Sequence, residues 1–282
     1  MRVSPTTRGY KPRVYEPKPQ KHSAARRDPD SLIVTPLYDE WLVRNPEITA
    51  KPEVFKRVME LMTVPPRDRR RSFSASQAGY CLRRQELAFL GVKGTKLSDP
   101  RGIRIFQNGT FGHLRWQVGL LSAGIIDGIE VTVKSASELE RATMDGIGVA
   151  LEGRYKGAKF GWEHKGRMSF AFDAQERAGT PDAKTRKQVA TQMLLTGYDV
   201  WSVTNENKDT QVAGEFIIER NDAEIGEARK ELKELTAAID KKKLHPMLPE
   251  CIKRNSTGEY YKCPFGTDAG ACVASGSWPR NI

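Results

Sequence analysis

The sequence predicts an α/β fold, a mixed central sheet flanked by helices. Two observations carry that expectation. Five short apolar runs of strand length, 129–133, 142–151, 159–165, 200–204 and 212–219, recur through the middle of the chain. Stretches with apolar residues at helical spacing precede them, interrupt them and follow them. The strands therefore come first as a run and then alternate with helices, a pattern that packs helices against a mixed sheet.

The elements follow in order. Residues 1–30 hold Arg2, Arg8, Lys11, Arg13, Lys18, Lys21, Arg26 and Arg27 against Glu16, Asp28 and Asp30, with five prolines. This is a basic flexible arm, too poor in apolar residues to fold alone. Residues 31–73 read as a helical cap and a basic linker. Leu32, Leu37, Trp41 and Leu42 make one short amphipathic piece. Val54, Val58, Leu61 and Met62 form a stripe after Pro52, and Arg67, Arg69, Arg70 and Arg71 crowd the linker. The core spans 74–243. A helix over 77–90 stops at Gly91, and one over 101–123 stops at Gly124. A helix over 182–195 starts after Pro181, and Ile225, Ala228, Leu232, Leu235 and Ile239 stripe a last helix over 222–243. Asp173 and Glu176 fall at the spacing of a helix surface. The segment 244–282 carries three of the four cysteines among glycines, prolines and turn residues.

At 282 residues the chain can bury a full core, and one domain with extensions is the natural count. Lys plus Arg number 46 against 35 for Asp plus Glu, a net charge of +11. That surplus favours a polyanion partner, although many basic proteins have none. No secretory leader pattern and no apolar run of spanning length is visible, so a cytoplasmic location and no membrane are expected.

The chemistry concentrates in Phe160-Gly161-Trp162-Glu163-His164-Lys165. On a strand Glu163 and Lys165 share a face and His164 takes the other. Asp145 lies 18 positions upstream on the preceding strand. A carboxylate from each of two neighbouring strands, with a lysine beside them, is how a metal-dependent nuclease holds a hard cation and its water. Taken singly, each residue has a plainer reading. Glu-x-Lys is commonly an exposed strand edge. His113 alone would be a half-buried histidine, Gln188 a polar helix residue, Arg83 and Arg84 a solvated helix face. Trp116 and Trp162 read as core.

Taken together, Gly109-x-x-x-His113, the Asp145 strand, the Glu163-x-Lys165 strand and the Gln188-bearing helix resemble the PD-(D/E)XK nucleases. They are most similar to the RecB-like exonucleases, including the CRISPR-associated iron–sulfur exonucleases and their phage relatives. The resemblance covers residues 74–272. It implies a restriction-endonuclease-like core at 74–243 that hydrolyses DNA phosphodiesters with Mg²⁺ or Mn²⁺. His113, Asp145, Glu163 and the main-chain carbonyl of His164 would bind the ion. Lys165, with a lowered pKa, would activate water, and Gln188 would support the site. Arg83 and Arg84 would touch DNA. The histidine implies exonucleolytic cleavage at DNA ends, in recombination, repair or replication, and a phage-encoded copy would act in the host cytoplasm. A structure-dependent or sequence-specific endonuclease, and a non-catalytic DNA-binding module on the same fold, are the alternatives. One departure is visible: the family has tyrosine four residues after the glutamine, and this chain has Gln192.

Cys81, Cys251, Cys263 and Cys272 form no Cys-x-x-Cys pair. By composition alone they are four reduced thiols. The resemblance implies more, since one cysteine ahead of the core and three behind it is the layout of the iron–sulfur members, although their last three lie close together with a Cys-x-x-Cys pair and here wider gaps separate Cys251, Cys263 and Cys272. In those members a [4Fe–4S] cluster staples the two ends of the domain. Four thiolates also suit zinc.

Overall fold

The computed structural model describes residues 28–45, 52–63, 71–92, 100–248, 265 and 272. The basic arm up to residue 27, the linker at 64–70, Cys251 and Cys263 lie outside the described residues. No helix among them is long and apolar enough to cross a membrane.

In chain order come α1 (Thr35–Arg44), α2 (Pro52–Thr63), β1 (Phe73–Ser74), α3 (Leu82–Phe89), α4 (Pro100–Ala123), β2 (Gly128–Lys134), β3 (Glu140–Val149), β4 (Lys159–Arg167), α5 (Ser169–Ala178), α6 (Ala183–Thr196), β5 (Val200–Asn207), β6 (Ala213–Glu219) and α7 (Asp222–Asp240). The sheet runs β1-β3-β4-β5-β6, with β2 on the other edge of β3. The β2–β3, β3–β4 and β5–β6 pairs are antiparallel and β4–β5 is parallel. A parallel pair needs a long crossover, and α5 and α6 supply it. The mixed sheet between helices is the expected architecture.

Each face of the sheet has its own core. On one, Trp116 and Leu120 of α4 and Tyr38 of α1 pack with Ile126, Ile129, Phe160 and Trp162. On the other, Val189, Ala190 and Met193 of α6 and Ile225 and Ala228 of α7 pack with Met144, Trp201, Val203 and Phe216. Trp116 and Trp162 are thus core, as their apolar neighbourhoods predict. The approach of α1 to α4 requires Gly119, because a Cβ there would lie 2.1 Å from the Tyr38 hydroxyl.

The start of α1 is fixed from the sheet. Its N-terminal residue Val34 caps nothing with its side chain. Instead the buried Glu215 carboxylate accepts the N–H groups of Ile33, Val34 and Thr35 and the hydroxyls of Thr35 and Ser202, at 2.7–3.1 Å. A carboxylate at a helix N-terminus satisfies orphan donors and complements the helix dipole.

Sequence and structure differ in three places. The helix expected from residue 77 begins at Leu82, because Ala75–Gln77 form a 3-10 turn and Cys81 is the N-cap of α3. The last helix ends at Asp240 rather than 243, with Lys242 at φ +50. The two-residue strand β1 is too short to carry any alternation.

Candidate active site

The site lies where the sheet comes apart. β3 pairs with β4 from Gly146, opposite Trp162, to Val149, and with β1 at Glu140 and Arg141. Residues 142–145, between those two pairings, have neither partner. Asp145 is the last residue before the β3–β4 ladder begins, and Glu163 and His164 are the first of β4 beyond it. Gly146 allows this junction to close, since a Cβ there would lie 2.9 Å from the Trp162 ring.

The structure brings together His113, Asp145, Glu163, His164, Lys165 and Gln188. The Asp145 carboxylate reaches across the opening, and its Oδ2 accepts the His164 N–H at 2.8 Å. His113 Nδ1, from α4, stands 3.1 Å from the same oxygen. The N–H and C=O of one strand residue face the same edge, so the His164 carbonyl also borders the opening. Glu163 points to the α6 face, as does Lys165. Lys165 Nζ donates to Glu163 Oε1 at 2.6 Å and to Gln188 Oε1 at 3.1 Å, and Gln188 Nε2 donates back to Glu163 Oε1 at 2.7 Å. The glutamine thus holds lysine and glutamate at once.

Gln192 lies one turn beyond Gln188 on the same helix face. Its Nε2 donates to Glu163 Oε2 at 3.0 Å and to the Thr143 carbonyl at 3.2 Å. The residue that departs from the family pattern therefore binds the predicted metal ligand and the unpaired edge of β3. The sequence gives no sign of this beyond the i, i+4 spacing of two glutamines. Gln117 and Glu130 also belong to the surroundings of Asp145; the sequence sets Gln117 one turn from His113 on the same helix and leaves Glu130 unmarked.

Burial sets the electrostatics. Burial works to raise the Asp145 pKa, but His113, Lys165 and the His164 N–H outweigh it and hold the carboxyl below its ordinary value. Glu163 is pushed up, by burial first and then by the charge of Asp145. Burial works to lower His113, and the charges of Asp145 and Glu163 win, so the imidazole titrates above 6.5. His164 goes the other way. Its ring is 1% exposed among Trp116, Trp162 and His113, and burial drives its pKa down to about 3, so the side chain is neutral.

Lys165 corrects an expectation. Burial works to lower its pKa, but Glu163 and Asp145 together raise it above the usual lysine value. The ammonium balances two carboxylates, and losing its proton would leave them uncompensated.

Arg83 is the second correction. Only 6% exposed, it donates from Nη1 to the His245 carbonyl at 2.8 Å and from Nη2 to the Cys272 carbonyl at 3.5 Å. It faces the C-terminal segment rather than a DNA phosphate. Glu86, one turn on, accepts the His245 N–H at 2.9 Å and pairs with its ring. Arg84 is partly exposed and stacks over the Tyr80 ring, 3.4 Å from its centre.

An open cavity of about 380 Å³ adjoins His113 and Lys165 and is also lined by Asn108, Arg115, His164 and Lys208. Among the described residues no three His, Cys, Asp or Glu side chains converge tightly enough to define a metal site by themselves. The donor chemistry nevertheless fits a hard divalent ion. The buried Glu163 and the partly buried Asp145 lie within reach of one another's charge, with His113 beside Asp145, and their negative charge is met by Lys165 and by His113 when protonated.

No family model matches the chain, and no curated protein matches it. Solved structures do match. LHK-Exo in complex with dAMP is 19% identical over 61% of this chain and 90% of that one, with a TM-score of 0.46. An alkaline exonuclease (LHK-Exo) from Laribacter hongkongensis is 18% identical with the same coverage and a TM-score of 0.43. SSO0001 is 16% identical over 64% of this chain and 84% of that one, with a TM-score of 0.38. Likenesses of this degree carry no inference about chemistry, which rests on the geometry of the site.

Proposed function

We propose that this chain is a PD-(D/E)XK deoxyribonuclease, a cation-dependent exonuclease acting at DNA ends in recombination, repair or replication. The observation that carries the reading is the opening between β3 and β4. There Asp145 and Glu163 stand within the reach of one another's charge, and Lys165 is fixed on Glu163 by Gln188. Asp145, Glu163, His113 and the His164 carbonyl are the groups that would hold Mg²⁺ or Mn²⁺. When bound, such an ion lowers the pKa of a coordinated water and neutralises charge on a phosphate. Lys165 holds its proton toward the attacked phosphodiester and orients the nucleophilic water by hydrogen bonding. Gln188 keeps the ammonium aimed, and Gln192 fixes the other Glu163 oxygen. Lys208 lines the cavity beside the site and offers positive charge to the DNA backbone, whereas Arg115 in the same lining is paired with the buried Glu206.

The exonuclease assignment draws on the histidine-bearing pattern at His113. Linear and covalently closed circular DNA, each incubated with Mg²⁺, Mn²⁺ or EDTA, test it. Degradation of the linear form alone, only with a cation, is expected. Cleavage of closed circles makes the protein an endonuclease.

The four cysteines are assigned to a [4Fe–4S] cluster with a structural role. In support, Cys81 caps α3, and Cys272 packs on Leu87 of that helix while its carbonyl accepts from Arg83. The two segments that a cluster would join are therefore neighbours. Anaerobically purified protein should be brown, with about four irons per chain. Zinc in place of iron makes the staple a zinc site, and four readily alkylated thiols exclude both.

A further inference from the structure

Among the described residues Glu130 is the only non-glycine residue with positive φ inside a strand, at +49; Glu138, Gln211 and Lys242 lie in turns. Left-handed backbone disfavours any residue with a Cβ. The consequence is visible in the packing. Ile129 belongs to the α4-side core, whereas Val131 and Val133, two and four positions on, pack on the α6 side. Regular alternation would keep all three on one face. β3 does the same opposite them. A Cβ on Gly146, paired with Ile129, would face Trp162 and Ile126, whereas Met144, paired with Val131, packs on the α6 side. The hairpin thus exchanges its faces at Glu130 and at Asp145, which stands opposite it.

The exchange is clasped by one side chain. Gln117 of α4 is 1% exposed, and its Nε2 donates to Glu130 Oε1 at 2.9 Å and to the Asp145 carbonyl at 3.0 Å. Strained backbone held by surrounding structure is characteristic of functional sites. Here it falls on the residue facing the one carboxylate that must leave the regular face pattern to border the β4 opening.

We propose that Gln117 and Glu130 are positioning residues. The Gln117 amide ties the left-handed Glu130 to the Asp145 main chain, and this tie sets the Asp145 carboxylate at the cation position. The inference rests on the nuclease reading. Glu130 acts as a hydrogen-bond acceptor, so its charge is dispensable. Gln117→Leu removes the clasp at similar volume, Glu130→Ala removes the acceptor, and Glu130→Gln keeps an acceptor oxygen without the charge.

The test is Mn²⁺ binding to full-length protein, measured by electron paramagnetic resonance, alongside turnover and circular dichroism. Gln117→Leu and Glu130→Ala should weaken Mn²⁺ binding by about ten- to a hundredfold, the usual range for residues that orient a ligand. Glu130→Gln should bind Mn²⁺ at least about tenfold more tightly than Glu130→Ala, because it keeps the acceptor oxygen. Parent-like binding by both Gln117→Leu and Glu130→Ala overturns the inference and leaves the nuclease reading standing. Equal losses in Glu130→Gln and Glu130→Ala also overturn it, since Glu130 would then act through its charge. If Gln117→Leu fails to fold, the two Glu130 variants decide the matter. A parent protein that binds no Mn²⁺ and degrades no DNA removes the nuclease reading, and the inference falls with it.

Discussion

Replacing Gln192 with leucine probes the site through its support rather than its chemistry. The side chain is fully buried, and leucine fills similar volume without hydrogen bonds. Two acceptors lose their donor: the Thr143 carbonyl, worth about 1 kcal/mol, and Glu163 Oε2, worth about 1.5–3 kcal/mol as a charged acceptor. Against this, Gln192 Oε1 is itself buried without a hydrogen-bond partner among the described residues. Its removal returns about 1 kcal/mol. The net loss is about 1.5–3 kcal/mol, a fall in Tm of roughly 3–12 °C for a domain of this size. Thermal and urea unfolding in EDTA measure it with no contribution from bound ions. Turnover should drop about tenfold or more, because Glu163 keeps only its Oε1 restraints. Gln192→Glu should be worse on both counts, since it sets a second carboxylate against Glu163. A leucine variant that melts within about 1 °C of the parent would refute the two hydrogen bonds as described.

Two further outcomes follow from the same geometry. Lys165→Ala should lower turnover by at least about a hundredfold in steady-state DNA cleavage and change Mn²⁺ affinity much less, because lysine is not a ligand. Parent-like turnover would make Lys165 a counter-ion and nothing more. His113 is held above 6.5 in the cation-free protein, so its pairing with Asp145 stabilises that form fully below pH 6.5, and the contribution is lost as pH rises through the raised value. A cation must displace that proton, so Mn²⁺ affinity should fall by up to about tenfold per pH unit below the raised pKa. A pH-independent affinity between pH 6 and 8 would show that His113 takes no part in binding.

Much of the fold is legible in the sequence because it follows from local pattern. Strands β2 to β6 and helices α4, α6 and α7 announce themselves by apolar spacing, by Pro181 ahead of α6 and by Gly124 at the end of α4. Asp145, Glu163, Lys165 and Gln188 are readable because the chemistry demands those residue types at those spacings. The remainder depends on partners distant in sequence. Gln117 and Gln192 look like ordinary polar helix positions until the opening in β3 gives them carbonyls to satisfy. Glu130 looks like a regular strand residue, because alternation carries no sign that the hairpin exchanges faces. Arg83 reads as surface because nothing nearby in the sequence shows that the chain near 245 and 272 returns to cover it. Lys165 has a raised rather than a lowered pKa because two carboxylates outweigh its own burial.

The most direct test of the Asp145–Glu163 site separates binding from cleavage. Asp145→Ala and Glu163→Ala are compared with the parent on end-labelled single- and double-stranded DNA with Mg²⁺, and DNA affinity is measured in parallel. Both variants should lose cleavage entirely while binding DNA nearly as well as the parent, since Lys208 and the chain's surplus of positive charge are untouched. Undiminished cleavage by both variants, or parent cleavage that persists in EDTA, would contradict the assignment of the site.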